Sequence, residues 1–158
     1  MRVRPLLFAS LALAALAACA GPGTKTAVAP VPEVSRGLYP NETPELRNLI
    51  DQYADAYDVP ADLVQRVVIR ESRHNPAARN GPYYGLMQIL PATAQSMGYE
   101  GSPKGLLDAE TNLKYAVKYL RGAWLVSEGD KDAAVGWYAR GYYYEAKRKG
   151  LLEETGLR

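Results

Sequence analysis

The stretch Pro60-Ala61-Asp62-Leu63-Val64-Gln65-Arg66-Val67-Val68-Ile69-Arg70-Glu71-Ser72 sets the class of fold. Leu63, Val64, Val67 and Val68 recur at the three- and four-residue spacing of a single helical face. Pro60 suits a helix start, where its missing N–H is not needed, and Asp58 stands close enough to cap it. At 100° per residue, Glu71 falls within about 60° of Val64, Val67 and Val68. The spacing therefore sets a carboxyl group on an otherwise apolar stripe. Such a group faces either a cleft or, at a fraying helix end, the solvent.

The helical period continues on both sides. Upstream, Thr43 is placed to cap a helix that opens on Pro44 and carries Leu46, Leu49, Ile50, Tyr53 and Tyr57 on one face. Downstream, Arg73 to Tyr83 form a polar loop punctuated by Asn75-Pro76 and Asn80-Gly81-Pro82, and Gly85 to Leu90 form a short apolar turn. Pro91 starts a helix that Gly98 stops. Asp108 caps a longer helix bearing Leu113, Ala116, Val117, Leu120 and Trp124, and two more helices begin near Asp130 and near Tyr142. No segment alternates as a strand does, and no repeat of fixed period is present. The expected fold is all-α, beginning near Tyr39, with about 110 residues to build one core.

Composition agrees with one folded domain: 158 residues, 47% hydrophobic, 23% charged, with a single cysteine that excludes an internal disulfide. The first forty residues have a different character. Arg2 and Arg4 precede an apolar run from Leu6 to Ala18 that is too short to span a bilayer and reads as an export signal. Residues 20 to 40 are rich in Gly, Pro, Ala, Val and Thr without a periodic apolar face, the composition of an extended tether. About 20 residues of such coil reach on the order of 25 Å. Removal of the export signal lowers the basic residues from 19 to 17, against 17 acidic ones. A formally neutral chain has no broad field to attract nucleic acid or an anionic membrane, so nucleic acid is not expected as a partner.

Leu16-Ala17-Ala18 directly before Cys19 resembles the lipobox of bacterial lipoproteins. That resemblance implies cleavage before Cys19 and acylation of the cysteine, whose two or more chains hold a membrane stably where one does not. Ala20 resembles the sorting signal for the outer membrane. The expected organisation is a signal peptide at 1–18, a tether at 19–40 and a catalytic domain at 41–158, lipid-anchored in the cell envelope on the periplasmic face of the outer membrane.

In a partly apolar cleft, desolvation raises the pKa of Glu71 and lets it hold a proton near neutral pH, as a general acid must. Cleavage of a glycosidic bond needs that proton, because the departing sugar oxygen is too basic to leave without it. Glu71-Ser72-Arg73-His74-Asn75-Pro76 followed by Gly85-Leu86-Met87-Gln88-Ile89 resembles the soluble lytic transglycosylases of goose-type lysozyme-like fold. The likeness covers residues 45 to 141, with further similarity at Asn112-Leu113 through Tyr119-Leu120 and at Tyr138 through Gly141.

The resemblance implies that Glu71 cuts the β-1,4 bond between N-acetylmuramic acid and N-acetylglucosamine in peptidoglycan strands. It acts first as acid and then as base, so that the muramyl 6-hydroxyl closes a 1,6-anhydro ring. It also implies that Ser72 supports Glu71 by hydrogen bonding, that Gly85, Leu86, Met87 and Gln88 wall the glycan cleft, and that Tyr138 reaches toward the acid. Physical chemistry permits these roles: Gly85 allows close backbone approach, Met87 suits a sugar face, and Gln88 offers both donors and acceptors to an acetamido group. Where the family commonly has Asn, this chain has Ala139.

Between residues 59 and 100 the carboxylates are Asp62, Glu71 and Glu100. Asp62 lies about 13 Å from Glu71 by helical rise, while Glu100, Asp108 and Glu110 stay open as partners. His74 is the sole histidine and is either structural or solvent-facing, so no multi-histidine metal site and no cofactor are expected. Tyr142, Tyr143 and Tyr144 either line the groove or pack, and Lys147-Arg148-Lys149 reads as a solvated helix face. The catalytic domain is expected to be monomeric. The same residues also admit a hydrolytic muramidase, or a glycan-binding scaffold that has lost turnover.

Overall fold

Thr43 and Pro44 start helix α1 (Pro44–Ala56) in the computed structural model, the Thr43 hydroxyl accepting from the Leu46 N–H at 3.2 Å. The structure describes residues 37–157; the export signal, Cys19 and the tether as far as residue 36 lie outside the described residues. Helix α1 buries Leu46, Ile50 and Ala54. Helix α2 (Ala61–Glu71) buries Leu63, Val64, Val67 and Val68, the face marked by the spacing. Its start differs from the expectation. Pro60 is itself the cap residue and makes no side-chain cap bond. Asp58 belongs instead to the turn that ends α1, at φ 52, where the bond from Val59 N–H to Ala54 O closes that helix.

The loop after α2 holds a structure that its sequence did not announce. β1 (Arg79–Asn80) and β2 (Tyr83–Tyr84) pair antiparallel, with Arg79 opposite Tyr84 and Asn80 opposite Tyr83. Strands of two residues are too short for alternation to register. Gly81 turns between them at φ 55, a conformation that glycine adopts without strain. Helix α3 (Pro91–Ser96) stops before Gly98, and a 3₁₀ turn over Pro103–Leu107 leads to Asp108. The Asp108 carboxylate accepts from Thr111 N–H at 2.8 Å and caps α4 (Ala109–Val126). Helices α5 (Lys131–Arg140) and α6 (Tyr143–Lys149) complete the chain.

Helix α4 is the axis of the packing. It touches α1, α3, α5, α6 and the 3₁₀ turn, while α2 lies against α1 and α5. Leu113, Ala116, Val117, Leu120 and Ala123 are wholly buried on it, and Trp124 sits half-buried at the margin. Close approach to α6 occurs at Gly122, where a Cβ would meet the Tyr142 ring. Tyr142 is buried and donates to Tyr119 O at 2.8 Å, whereas Tyr143 and Tyr144 are exposed. Lys149 and Arg148 pair with Glu128 and Glu145, so the basic run is a salt-bridged helix face. Among the described residues no helix is long and apolar enough to cross a membrane.

A buried polar cluster ties the entering chain to α1 and α2. The Glu42 side chain is 0% exposed and accepts from Arg47 Nε at 2.7 Å, Gln65 Nε2 at 2.6 Å and Tyr39 N–H at 2.9 Å. Gln65 Oε1 in turn accepts from His74 Nε2 at 2.8 Å, and the His74 ring stacks on Tyr39. His74 is 2% exposed, which settles its two readings in favour of the structural one.

Burial raises the pKa of Glu42, but the bonds from Arg47, Tyr39 N–H and Gln65 outweigh it and hold the carboxyl at about 2. A depressed carboxyl stabilises the fold above its ordinary pKa near 4.5, and that stability is lost as pH falls through about 2. Over that acid window the chain is expected to lose about 3 kcal/mol more than its Glu42→Gln variant, read from urea unfolding at stepped pH.

Candidate active site

Glu71 is the last residue of α2. The helix stops there because Arg73 and His74 take left-handed conformations, at φ 52 and 63, while Ser72 and Arg73 N–H both turn back onto Val68 O. Ending the helix at this residue carries the apolar stripe as far as the acid and then turns the chain away. The Glu71 side chain is 23% exposed, beside the Arg70 guanidinium, whose Nε lies 3.5 Å from Oε1. Burial raises its pKa and Arg70 lowers it, with a net upward shift. The negative end of the α2 dipole acts in the same upward direction.

Glu71 opens into a hollow of about 320 Å³ lined also by Arg70, Asn80, Tyr83, Gln88, Tyr138 and Ala139. A second hollow of about 340 Å³ shares Tyr83, Gln88, Tyr138 and Ala139 and continues past Thr93 and Tyr119 to Arg140 and Gly141. The two form one cleft between the hairpin and the end of α5. Glu71 is the only carboxylate lining either hollow among the described residues. Of the carboxylates considered as partners, Asp62 binds Lys131 at 2.5 Å, Glu110 accepts from the Tyr53 hydroxyl at 3.1 Å, Asp108 caps α4, and Glu100 is exposed and lines neither hollow. Among the described residues no three His, Cys, Asp or Glu side chains are grouped to hold a metal ion.

The cleft wall at residues 84–89 is a loop built from behind. Its neck is closed by two backbone bonds between Tyr84 and Ile89, each 3.1 Å. Asn112, fully buried on α4, fills it: Oδ1 accepts from Met87 N–H at 2.9 Å, and Nδ2 donates to Tyr84 O at 2.9 Å and Leu106 O at 2.8 Å. Gly85, at φ 73, must be glycine because a Cβ there would strike the Asn112 amide and Leu106 O. On the cleft side, Tyr138 donates to Met87 O at 2.8 Å. Gln88 adopts φ 49, held by Nε2 bonds to Gly85 O at 2.8 Å and Ala78 O at 3.1 Å.

Of the residues singled out from the sequence, Glu71, Gln88 and Tyr138 meet in the cleft. Leu86 and Met87 are 0% exposed and belong to the core, so they support the wall from inside and no sugar face reaches the Met87 thioether. The close approach at Gly85 is made by Asn112 and not by a ligand. Both amide hydrogens of Gln88 are used to hold its own loop, which leaves the acceptor end for a ligand. The Ser72 hydroxyl donates to Val68 O at 3.3 Å in place of Glu71, the usual back-bond of a serine at a helix end. Cys19 lies outside the described residues.

Residues 48–151 match the Transglycosylase SLT domain, about two thirds of the chain, from within α1 to just past the end of α6. The chain belongs to that family. Membership implies transglycosylase-type cleavage of peptidoglycan and binding of that polymer. The helical fold is that of the SLT, lysozyme-like class. No solved structure matches the chain.

Cleft residues of this SLT domain not singled out from the sequence include Arg70, Asn80, Tyr83, Thr93 and Arg140. Arg70 stands beside Glu71, and Asn80 and Tyr83 lie in the hairpin, where the only signal was the turn at Gly81-Pro82. Asn112 stood in a recognised motif, yet its role depends on contacts 25 and 28 residues away. Asn112→Ala removes the side-chain bonds to Met87 N–H and Leu106 O and one of the two bonds to Tyr84 O, and is expected to destabilise the domain by about 3 kcal/mol, measured by chemical denaturation. Asn112→Asp, which keeps the acceptor for Met87 N–H, should fall between the two.

Proposed function

We propose that this SLT domain is a lytic transglycosylase that cuts the β-1,4 bond between N-acetylmuramic acid and N-acetylglucosamine and leaves a 1,6-anhydromuramyl end, with Glu71 as its acid and then its base. The observation that carries this is the cleft with one carboxyl group among the described residues, desolvated, in the hollow that Tyr83, Gln88, Tyr138 and Ala139 join to its neighbour. A protonated Glu71 gives its proton to the glycosidic oxygen as the bond to the anomeric carbon breaks, and the N-acetylglucosamine leaves as an alcohol. The resulting carboxylate accepts the proton of the muramyl 6-hydroxyl, whose oxygen closes on the anomeric carbon. No water is consumed, and Glu71 is returned in its protonated form. Inverting and retaining hydrolases of the ordinary kind place two carboxyl groups about 5 to 9.5 Å apart across the bond, and among the described residues no second one lines this cleft.

Tyr138 is a positioning residue in this scheme. Burial first, and the Glu71 charge second, raise its pKa well above the ordinary value, so it stays a phenol and keeps its proton on Met87 O. Its ring then forms the fixed wall against which Glu71 is desolvated. Gln88 presents its carbonyl oxygen as an acceptor for an acetamido N–H. We also place the domain in the cell envelope, anchored through lipid on Cys19 at the periplasmic face of the outer membrane. Cys19→Ala should then move the chain from the membrane to the soluble fraction.

Digestion of purified peptidoglycan followed by mass spectrometry tests the chemistry. The expected products are one water lighter than hydrolytic muropeptides; reducing muramic ends as the main product would establish a hydrolytic muramidase, and binding without cleavage a scaffold. Glu71→Gln should lower turnover by about 10³-fold or more with its fold intact. Because the working form is the protonated acid and its pKa is raised, kcat/KM should persist above the ordinary carboxylate range and fall as pH rises through the Glu71 pKa.

A further inference from the structure

In the hollow beyond Glu71, Arg140 is the single charged lining residue. It ends α5, directly before Gly141, and although the residue is exposed its guanidinium is packed against its own helix. The guanidinium carbon lies 3.8 Å from the centroid of the Trp137 ring, and a Cβ at Gly136 would come 2.8 Å from its Nη1. Trp137 and Gly136 therefore make a seat for the planar group, in cation–π contact with the indole. Arg47, Arg66 and Arg148 are spent on Glu42, Asp132 and Glu145, and Arg70 lies beside Glu71. Arg140 has no ion pair among the described residues. A seated, unpaired guanidinium in a cleft wall is built to take a planar anion by two parallel hydrogen bonds.

We propose that Arg140 is an anchor for a carboxylate carried by the muramyl residue of the glycan. This rests on the cleft being the glycan site. The sugar backbone of the polymer is uncharged, so a carboxylate in the cleft can come from one place, the lactyl ether of muramic acid, either as its own acid group or on the peptide joined to it. The hollow holding Arg140 shares its wall with the one holding Glu71, so a strand seated through both sets a muramyl substituent beside Arg140 while Glu71 faces the bond. The anchor would make the enzyme select muramyl strands over a chitin-type strand of the same backbone.

The test measures binding to the non-cleaving Glu71→Gln chain, with and without Arg140→Ala. Three fragments of equal length are compared: a muramyl glycan with its peptide, the same glycan with the peptide removed to leave the free lactyl acid, and a chitooligosaccharide lacking both. With Arg140 present, at least one muramyl fragment is expected to bind about tenfold more tightly than the chitooligosaccharide, and Arg140→Ala should erase that ratio. Arg140→Lys, which keeps the charge but not the fork, should retain part of it, and added salt should reduce it. Loss of the ratio only for the peptide-free fragment assigns the lactyl acid, loss only with the peptide attached assigns a peptide carboxylate, and loss for both assigns a seat that takes either. A ratio near one in the parent chain, or one that Arg140→Ala leaves unchanged, overturns the proposal. Failure of the unmodified chain to release anhydro ends would count against the proposed reaction alone, since the binding ratio is read without cleavage.

Discussion

The amide of Asn112 is the constraint on which the cleft depends. It is wholly buried on the central helix, and its three hydrogen bonds hold Met87, Tyr84 and Leu106 at once. Without it the 84–89 loop has a closed neck but no filling, because its interior is backbone and backbone must find partners when water is excluded. Gly85 follows from that requirement, since any side chain there would displace the amide. The left-handed turn at Gln88 follows as well: a non-glycine residue in that conformation costs about 1 kcal/mol or more, and its side-chain amide offsets this by binding the loop it belongs to. Tyr138 then closes the outer side through Met87 O. One wall of the cleft is thus set from α4 and the other from α5, both elements of the core.

Glu71 is held by a different device, the termination of a helix. Had α2 continued for another turn, the acid would be one more residue on a helix face. Instead the left-handed pair Arg73 and His74 turns the chain away, and His74 is drawn inward to the Glu42 cluster. The buried ionic cluster and the acid are therefore neighbours through α2, one on each side of its end. Glu42 has every oxygen bonded and is held ionised, while Glu71 has only Arg70 nearby and is pushed toward its neutral form. The two glutamates shift in opposite directions because one is supplied with donors and the other is chiefly desolvated.

The sequence was most informative where structure is local. Thr43, Asp108 and Gly98 marked helix ends correctly because capping acts over three or four residues. The apolar stripe of α2 was legible for the same reason, and with it the phase of Glu71. Asp58 misled because an aspartate two residues before a proline also fits the left-handed turn that ends the preceding helix. The hairpin was hidden by its length. The resemblance gave Met87 a place in the cleft wall and Ser72 a hydrogen bond to Glu71, but Met87 is drawn into the core and the Ser72 hydroxyl bonds back to Val68 O in the last turn of its own helix. His74 and Glu42 could be joined only once α1 and α2 were packed, since they meet through Gln65.

Ala139 gains a physical meaning from its place in both hollows. A polar amide at this point would offer hydrogen bonds to the ligand, and also to the acid or to water around it. A methyl group offers neither. Its presence next to Tyr138 makes the wall facing Glu71 more apolar, which favours the protonated carboxyl and so the form that starts the reaction. The same substitution removes a neutral hydrogen-bonding contact from the join between the hollows, leaving orientation of the strand to the Gln88 acceptor, the aromatic edges of Tyr83 and Tyr119, and the seated charge of Arg140. On the proposed function, recognition therefore rests on these groups and not on an amide beside Tyr138, and the methyl group of Ala139 adds no hydrogen bond to Glu71.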